Sequence, residues 1–194
     1  MQLQPPLRRA TPADAPALAD FVHFASEGLA YYLWTKMAGP GGDPWAIGRE
    51  RAGRDGKGFS YRNAFLLERE GRVAAGLVGY PLPHTPEPMP ADMPAMFAPL
   101  QELENLAPGS WYVNVLAAYP EERGRGHGTA LLGLADRLAA ELGHAGMSII
   151  VADTNTGARR LYERSGYREA ARRAMVKEQW QHPGAEWVLL VKRR

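Results

Sequence analysis

Apolar residues recur along the chain at two spacings, and the switches between them divide it into elements. Leu7-Arg8-Arg9-Ala10 predicts a short edge strand. Thr11-Pro12-Ala13-Asp14 predicts a helix start, with Thr at the N-cap, Pro in the first helical position and an acid three residues after the cap. Leu18, Phe21, Val22 and Ala25 then fall on one helical face, and Gly28 is the stop. The aromatic run Leu29 to Met37 follows, then a loop at Gly39-Pro40-Gly41-Gly42 and a second helix opened by Asp43-Pro44 and reaching about Gly53. Ala64 to Glu70 and Arg72 to Tyr80, separated by Gly71, predict a β-hairpin.

Residues 81–108 break the pattern, since they hold eight of the sixteen prolines. They predict a long connection with at most a short helix near Met96 to Leu106. Beyond it the pattern resumes: a strand from Trp111 to Ala118, a helix from Thr129 to Leu142, a strand from Met147 to Ala152, a helix from Thr156 to Ser165 and a strand from Trp187 to Lys192. A further strand is expected near Arg172 to Val176. The order β-α-α-β-β-β-α-β-α-β implies a mixed α/β sheet.

Composition narrows the chemistry more than the fold. The 194 residues fit a single domain spanning 1–194. Cysteine is absent, which excludes disulfides, Cys-ligated zinc and a thiol nucleophile. Twenty-three bases against twenty-one acids give no argument for a nucleic-acid partner. No apolar run reaches the ~18 residues of a membrane span, and Met1 to Arg9 lacks the layout of a signal peptide, so the expected location is cytoplasmic. The histidines His23, His84, His127, His144 and His182 have no metal-ligand spacing, and no metal is expected.

The strand Trp111 to Ala118 runs through Tyr119-Pro120-Glu121-Glu122 into Arg123-Gly124-Arg125-Gly126-His127-Gly128-Thr129 and then a helix. Glycines let several backbone N–H groups turn toward one point, and the following helix start adds unpaired N–H groups and a positive dipole end. The same residues would also make a plain tight turn. A Walker-type loop needs Gly-Lys-Ser/Thr, and this segment has no lysine. A dinucleotide fingerprint places its first glycine at the strand end, whereas here Tyr119-Pro120-Glu121-Glu122 separates the strand from the Arg-Gly turn. Arg-x-x-Gly-x-Gly is met by Arg123, Gly126 and Gly128.

With that motif the chain resembles the GNAT superfamily of N-acetyltransferases. Asn155 and Leu161-Tyr162-Glu163-Arg164-Ser165-Gly166-Tyr167 match the family's second motif, and the element order agrees along essentially the whole chain. The resemblance implies an α+β fold, with a mostly antiparallel sheet of about six to seven strands, about four helices and an elaboration at 81–108. It also implies acetyl-CoA as acyl donor, a primary amine of a small molecule or peptide as acceptor, and a family in which homodimers are common.

By the same resemblance, Leu116, Ala117 and Ala118 offer main-chain groups to pantetheine and the thioester, and Arg123 through Thr129 hold the pyrophosphate. Asn155 contacts pantetheine, and Tyr162 is the general acid. Each has a plainer reading: strand packing for Ala117 and Ala118, an N-cap for Asn155, a core aromatic for Tyr162. The family's occasional Glu on the strand before the Asn is Ile150 here, so the base lies elsewhere.

Val73 through Glu122 contains no Lys or Arg but holds Glu87, Asp92, Glu102, Glu104, Glu121 and Glu122, a composition suited to attracting a cationic amine. Glu104 is the first candidate base and Glu102 the second. Against this, both fit the solvated face of a short helix whose Leu100, Leu103 and Leu106 pack inward. Asn114, polar within an apolar strand, would position a water or satisfy the backbone. Tyr31, Tyr32 and Trp34 fall where the family walls its acceptor pocket, and they fit a core equally well. Two other functions compete: a non-catalytic acyl-CoA sensor and a nucleotide-binding oxidoreductase.

Overall fold

The computed structural model describes residues 3–56 and 58–193. Its elements run β1 (Leu7–Arg9), α1 (Ala15–Ala25), α2 (Leu29–Ala38), α3 (Pro44–Gly53), β2 (Ala64–Arg69) and β3 (Arg72–Pro81). They continue α4 (Ala98–Glu104), β4 (Trp111–Ala118), α5 (His127–Glu141), β5 (Gly146–Ala152), α6 (Thr156–Arg164), β6 (Arg168–Ala174) and β7 (Glu186–Arg193). Seven strands form one sheet in the order β1-β2-β3-β4-β5-β7-β6. β4 and β5 pair in parallel through Trp111–Met147 to Val113–Ile149, whereas β1/β2, β2/β3, β5/β7 and β6/β7 are antiparallel. The mixed, mostly antiparallel α+β fold is thus as the sequence predicts, with six α-helices among the described residues rather than about four. None of those helices is long and apolar enough to cross a membrane.

By its contacts the chain divides into two compact units, residues 1–80 with 114–134 and residues 81–113 with 135–194. In the first, Thr11 and Asp14 close a capping box, but over a 3-10 turn, so the α-helical geometry of α1 begins only at Ala15. Asp14 also takes two 2.8 Å hydrogen bonds from the Arg8 guanidinium, which ties the cap to β1. Phe21 of α1 packs against the backbone of β3, where a Cβ on Gly76 would lie 2.5 Å from its ring. Leu18, Phe21, Leu66, Val78 and Val115 are the fully buried centre of this unit. The β2–β3 hairpin turns through Glu70 and Gly71, at φ 51° and 73°, a left-handed pair that favours glycine.

The aromatic run is a helix. α2 starts after Gly28, at φ 91°, and the side-chain oxygen at this start comes from Ser26, which accepts from Ala30 N at 3.1 Å. Trp34 on α2 is 3% exposed and fills the groove over Gly48 of α3, where an added Cβ would sit 2.6 Å from its ring.

The second unit is built on β5 and β7, whose pairing runs through seven residue pairs from Gly146–Arg193 to Ala152–Trp187. Leu103, Met147, Tyr167 and Leu189 are buried there, with the Tyr167 hydroxyl 3.8 Å from Met147 Sδ. A short helix does form in the proline-rich connection, as α4. Leu106, expected to pack inward with Leu100 and Leu103, is instead 52% exposed. α4 ends at Glu104, and the chain tightens so that Leu106 N donates to Leu103 O, which rotates Leu106 off the buried face.

Candidate functional site

The glycine-rich turn belongs to the first unit. Tyr119 fixes the chain leaving β4: its N–H donates to Ala74 O and its hydroxyl to Asp20 Oδ2, at 3.0 and 2.9 Å. A 3-10 turn over Pro120–Glu122 follows, and the backbone then passes through left-handed φ at Gly124 (75°) and Gly126 (83°) into α5. A Cβ built on either glycine meets no atom within 4 Å, so both face open space. Gly128 differs from them, lying inside the first turn of α5. The helix therefore begins at His127, earlier than the Thr129 expected from sequence. Its first N–H groups have no intrahelical acceptor and point out of the helix start.

The basic side chains of this turn have separate placements. Arg123 lies 5.7 Å over the Phe24 ring and reaches Ala118 O with Nε at 3.4 Å. Arg125 and His127 turn to Glu122, whose Oε2 lies 3.1 Å from His127 Nε2 and 3.6 Å from Arg125 Nε. Arg69, from the end of β2, approaches the same oxygen at 3.7 Å. The His127 hydrogen bond, with the charges of Arg125 and Arg69, holds the Glu122 carboxyl below its ordinary range. Glu122 is therefore engaged by Arg125 and His127 of the turn, although its place in the cation-free run suggested the acceptor side. Arg69 lies outside every motif, and only the fold brings it here.

Upstream on β4, Val113 and Val115 are buried while Asn114 and Leu116 are half-buried, as alternation along a strand requires. Ala117 and Ala118 are half-buried. Of the aromatic candidates, Tyr31 and Trp34 both pack against Trp45, with ring centroids 5.5 and 5.6 Å from it. Tyr31 is 37% exposed and joins His23 and Trp45, with ring centroids 5.8 and 5.5 Å away. Tyr32 carries Lys36 Nζ 5.5 Å over its ring. Trp34 is packed into the α2–α3 core.

The other candidates belong to the second unit. Asn155 is the N-cap of α6, its Oδ1 accepting from Ala158 N at 3.1 Å. Tyr162 is the buried residue of that helix, 5% exposed, with its ring 5.9 Å from Tyr167. Glu104 is half-buried at the end of α4, beside a cleft walled by Leu82, Pro86, Glu87 and Asn105. Burial, reinforced by the charge of Glu87, pushes its carboxyl up to about 7. Asn105 fixes Glu87 by pairing with both its N–H and its carbonyl at 2.9 Å. Glu102 is exposed and ion-paired to Arg173 at 2.5 Å, so its charge is already matched.

The sequence profile described as the acetyltransferase (GNAT) family matches residues 30–167. No curated protein matches the sequence. Among solved structures, the chain is similar to a Drosophila melanogaster polyamine N-acetyltransferase, at 20% identity over 97% of this chain and 99% of that one, with a TM-score of 0.65. It is also similar to an N-acetyltransferase from Staphylococcus aureus, at 18% identity over 95% and 98%, with a TM-score of 0.61. A GNAT-family acetyltransferase from Elizabethkingia anophelis solved with acetyl-CoA bound aligns at 16% identity over 68% and 75%, with a TM-score of 0.51.

Proposed function

Because the chain belongs to the acetyltransferase (GNAT) family, we propose that it transfers an acetyl group from acetyl-CoA to a primary amine of a small molecule or peptide. The observation that carries this reading is the turn at Gly124 and Gly126, left-handed, open above both glycines and continuous with the start of α5. An approaching pyrophosphate needs backbone N–H groups, nearby cations and room that no side chain fills, and the turn offers all three.

In this reading Arg123 through Thr129 hold the pyrophosphate, main-chain groups of Leu116, Ala117 and Ala118 and the amide of Asn155 hold the pantetheine arm, and Asn114 positions a water. Bound acetyl-CoA supplies a thioester carbonyl and a thiolate leaving group. Glu104 takes a proton from the incoming ammonium, whose reference pKa of about 10.4 leaves it charged at neutral pH. A carboxyl raised to about 7 is matched to that task. The amine nitrogen then bonds to the carbonyl carbon, the carbon–sulfur bond breaks, the Tyr162 hydroxyl protonates the departing sulfur, and the surplus proton of the acylated nitrogen passes through solvent to restore the phenol. Tyr31 faces the acceptor.

Thiol release measured with acetyl-CoA against polyamines, amino acids, aminoglycosides and peptides tests the activity. Steady absence of release despite coenzyme A binding would identify a sensor instead. Tyr162→Phe is expected to lower kcat about 100-fold, the scale of a lost general acid, while leaving the Kd for coenzyme A unchanged. Wild-type kcat in that variant removes Tyr162 from the chemistry.

A further inference from the structure

We propose that Arg69, at the end of β2, is a further phosphate-binding residue of the coenzyme A site; this rests on the assignment of the glycine turn to coenzyme A. Fifty-six positions separate Arg69 from Arg125 in sequence, yet both guanidinium groups converge on one carboxylate oxygen, Glu122 Oε2, at 3.7 and 3.6 Å. Those distances exceed hydrogen-bond reach, whereas His127 Nε2, at 3.1 Å, occupies the same oxygen directly. Glu122 therefore gathers the two arginines by charge without consuming their N–H donors.

One carboxylate oxygen is shared by two guanidinium groups, so Glu122 alone neutralises neither of them fully. Glu70 also approaches Arg69, at 3.7 Å, but its side chain is 73% exposed and its pull is screened by solvent. A phosphate monoester or diphosphate brings more negative charge than Glu122 and several acceptor oxygens, and guanidinium forks suit such oxygens. Arg69 is 40% exposed, so it reaches a ligand without rearrangement of the core. Arg123 is committed differently, over Phe24 and against Ala118 O, which leaves Arg69 and Arg125 as the paired cations of this cluster.

Calorimetric titration of the full chain with coenzyme A, dephospho-coenzyme A and pantetheine tests the assignment. Arg69→Gln should raise the Kd for coenzyme A about tenfold, the loss expected of one charge-assisted contact, with pantetheine binding unchanged. Arg69→Lys should recover part of the loss. A rise shared by dephospho-coenzyme A assigns the contact to the diphosphate, and a rise confined to coenzyme A assigns it to the 3′-phosphate; either outcome supports the proposal. Unchanged affinity for all three ligands, or an equal rise for pantetheine, overturns it while leaving the proposed function standing. Failure of the unaltered chain to bind coenzyme A overturns both.

Discussion

Glu104 holds a carboxyl whose ionisation the fold resists, and this has a thermodynamic sign. Its pKa rises from an ordinary 4.5 to about 7, so between those values the folded chain binds a proton that the unfolded chain has released. Stability from this group is full below the unfolded pKa and is lost as pH rises through about 7. Glu104→Gln removes the ionisation. The variant should melt above the unaltered protein at pH 8 and alongside it at pH 5. If Glu104 is the base, the same change lowers kcat/KM at pH 8 by about 100-fold and removes the acid limb of the pH–rate profile. Parallel melting curves at both pH values would show that the carboxyl is not strained. A lack of nearby cations in sequence singled out Glu104, but the proximity of Glu87 came only from folding. Charge patterning along a chain reveals which acids lack local partners; it does not reveal distant ones such as Arg173 for Glu102.

The elements legible in sequence were those whose ends carry their own chemistry. Asp43 caps α3 by accepting from Trp45 N at 2.9 Å, and Gly71 turns the β2–β3 hairpin, so both boundaries were readable. α2 has glycine at its N-cap, with the capping oxygen of Ser26 displaced two residues upstream, and its buried residues are Leu29 and Trp34, too few to make an apolar stripe. Gly48→Ala tests that packing. Alanine gains about 1 kcal/mol of helix propensity over glycine, but its Cβ would lie 2.6 Å from a Trp34 ring that is itself 3% exposed. Overpacking of this kind costs about 1–3 kcal/mol, so the net change should be destabilising in a denaturant titration. A gain in stability would mean that the ring shifts freely. Gly124 and Gly126, in the turn before α5, do take the left-handed backbone that glycine permits; the helical place of Gly128 was not legible, because a glycine carries no mark of which side of a helix start it occupies.

Across the whole molecule, two motifs far apart in sequence identified the family, and the profile match over residues 30–167 includes both. The acceptor stayed illegible because amine recognition rests on side chains brought together by folding. Of its aromatic candidates, Trp34 is taken up by the core, whereas Tyr31, packed on the same Trp45, stays partly exposed. The donor is testable at this scale. Coenzyme A at one hundred times its Kd should stabilise the chain by about 2.7 kcal/mol, or about 5–10 °C in Tm for a protein of this length, and NAD(P) should give no shift. A shift with NAD(P) alone would favour the oxidoreductase reading.

The pairing of Asn105 with the peptide of Glu87 has an evolutionary consequence. It anchors one end of the proline-rich segment, and α4 anchors the other, so residues 88–94 form a tether between two fixed points. Closing a longer tether costs only about 0.6 kcal/mol per doubling of its length. Descendants of this chain can therefore gain or lose residues between Pro88 and Pro94 while Glu104 keeps its surroundings. That short span is where the chain can change length without refounding the fold.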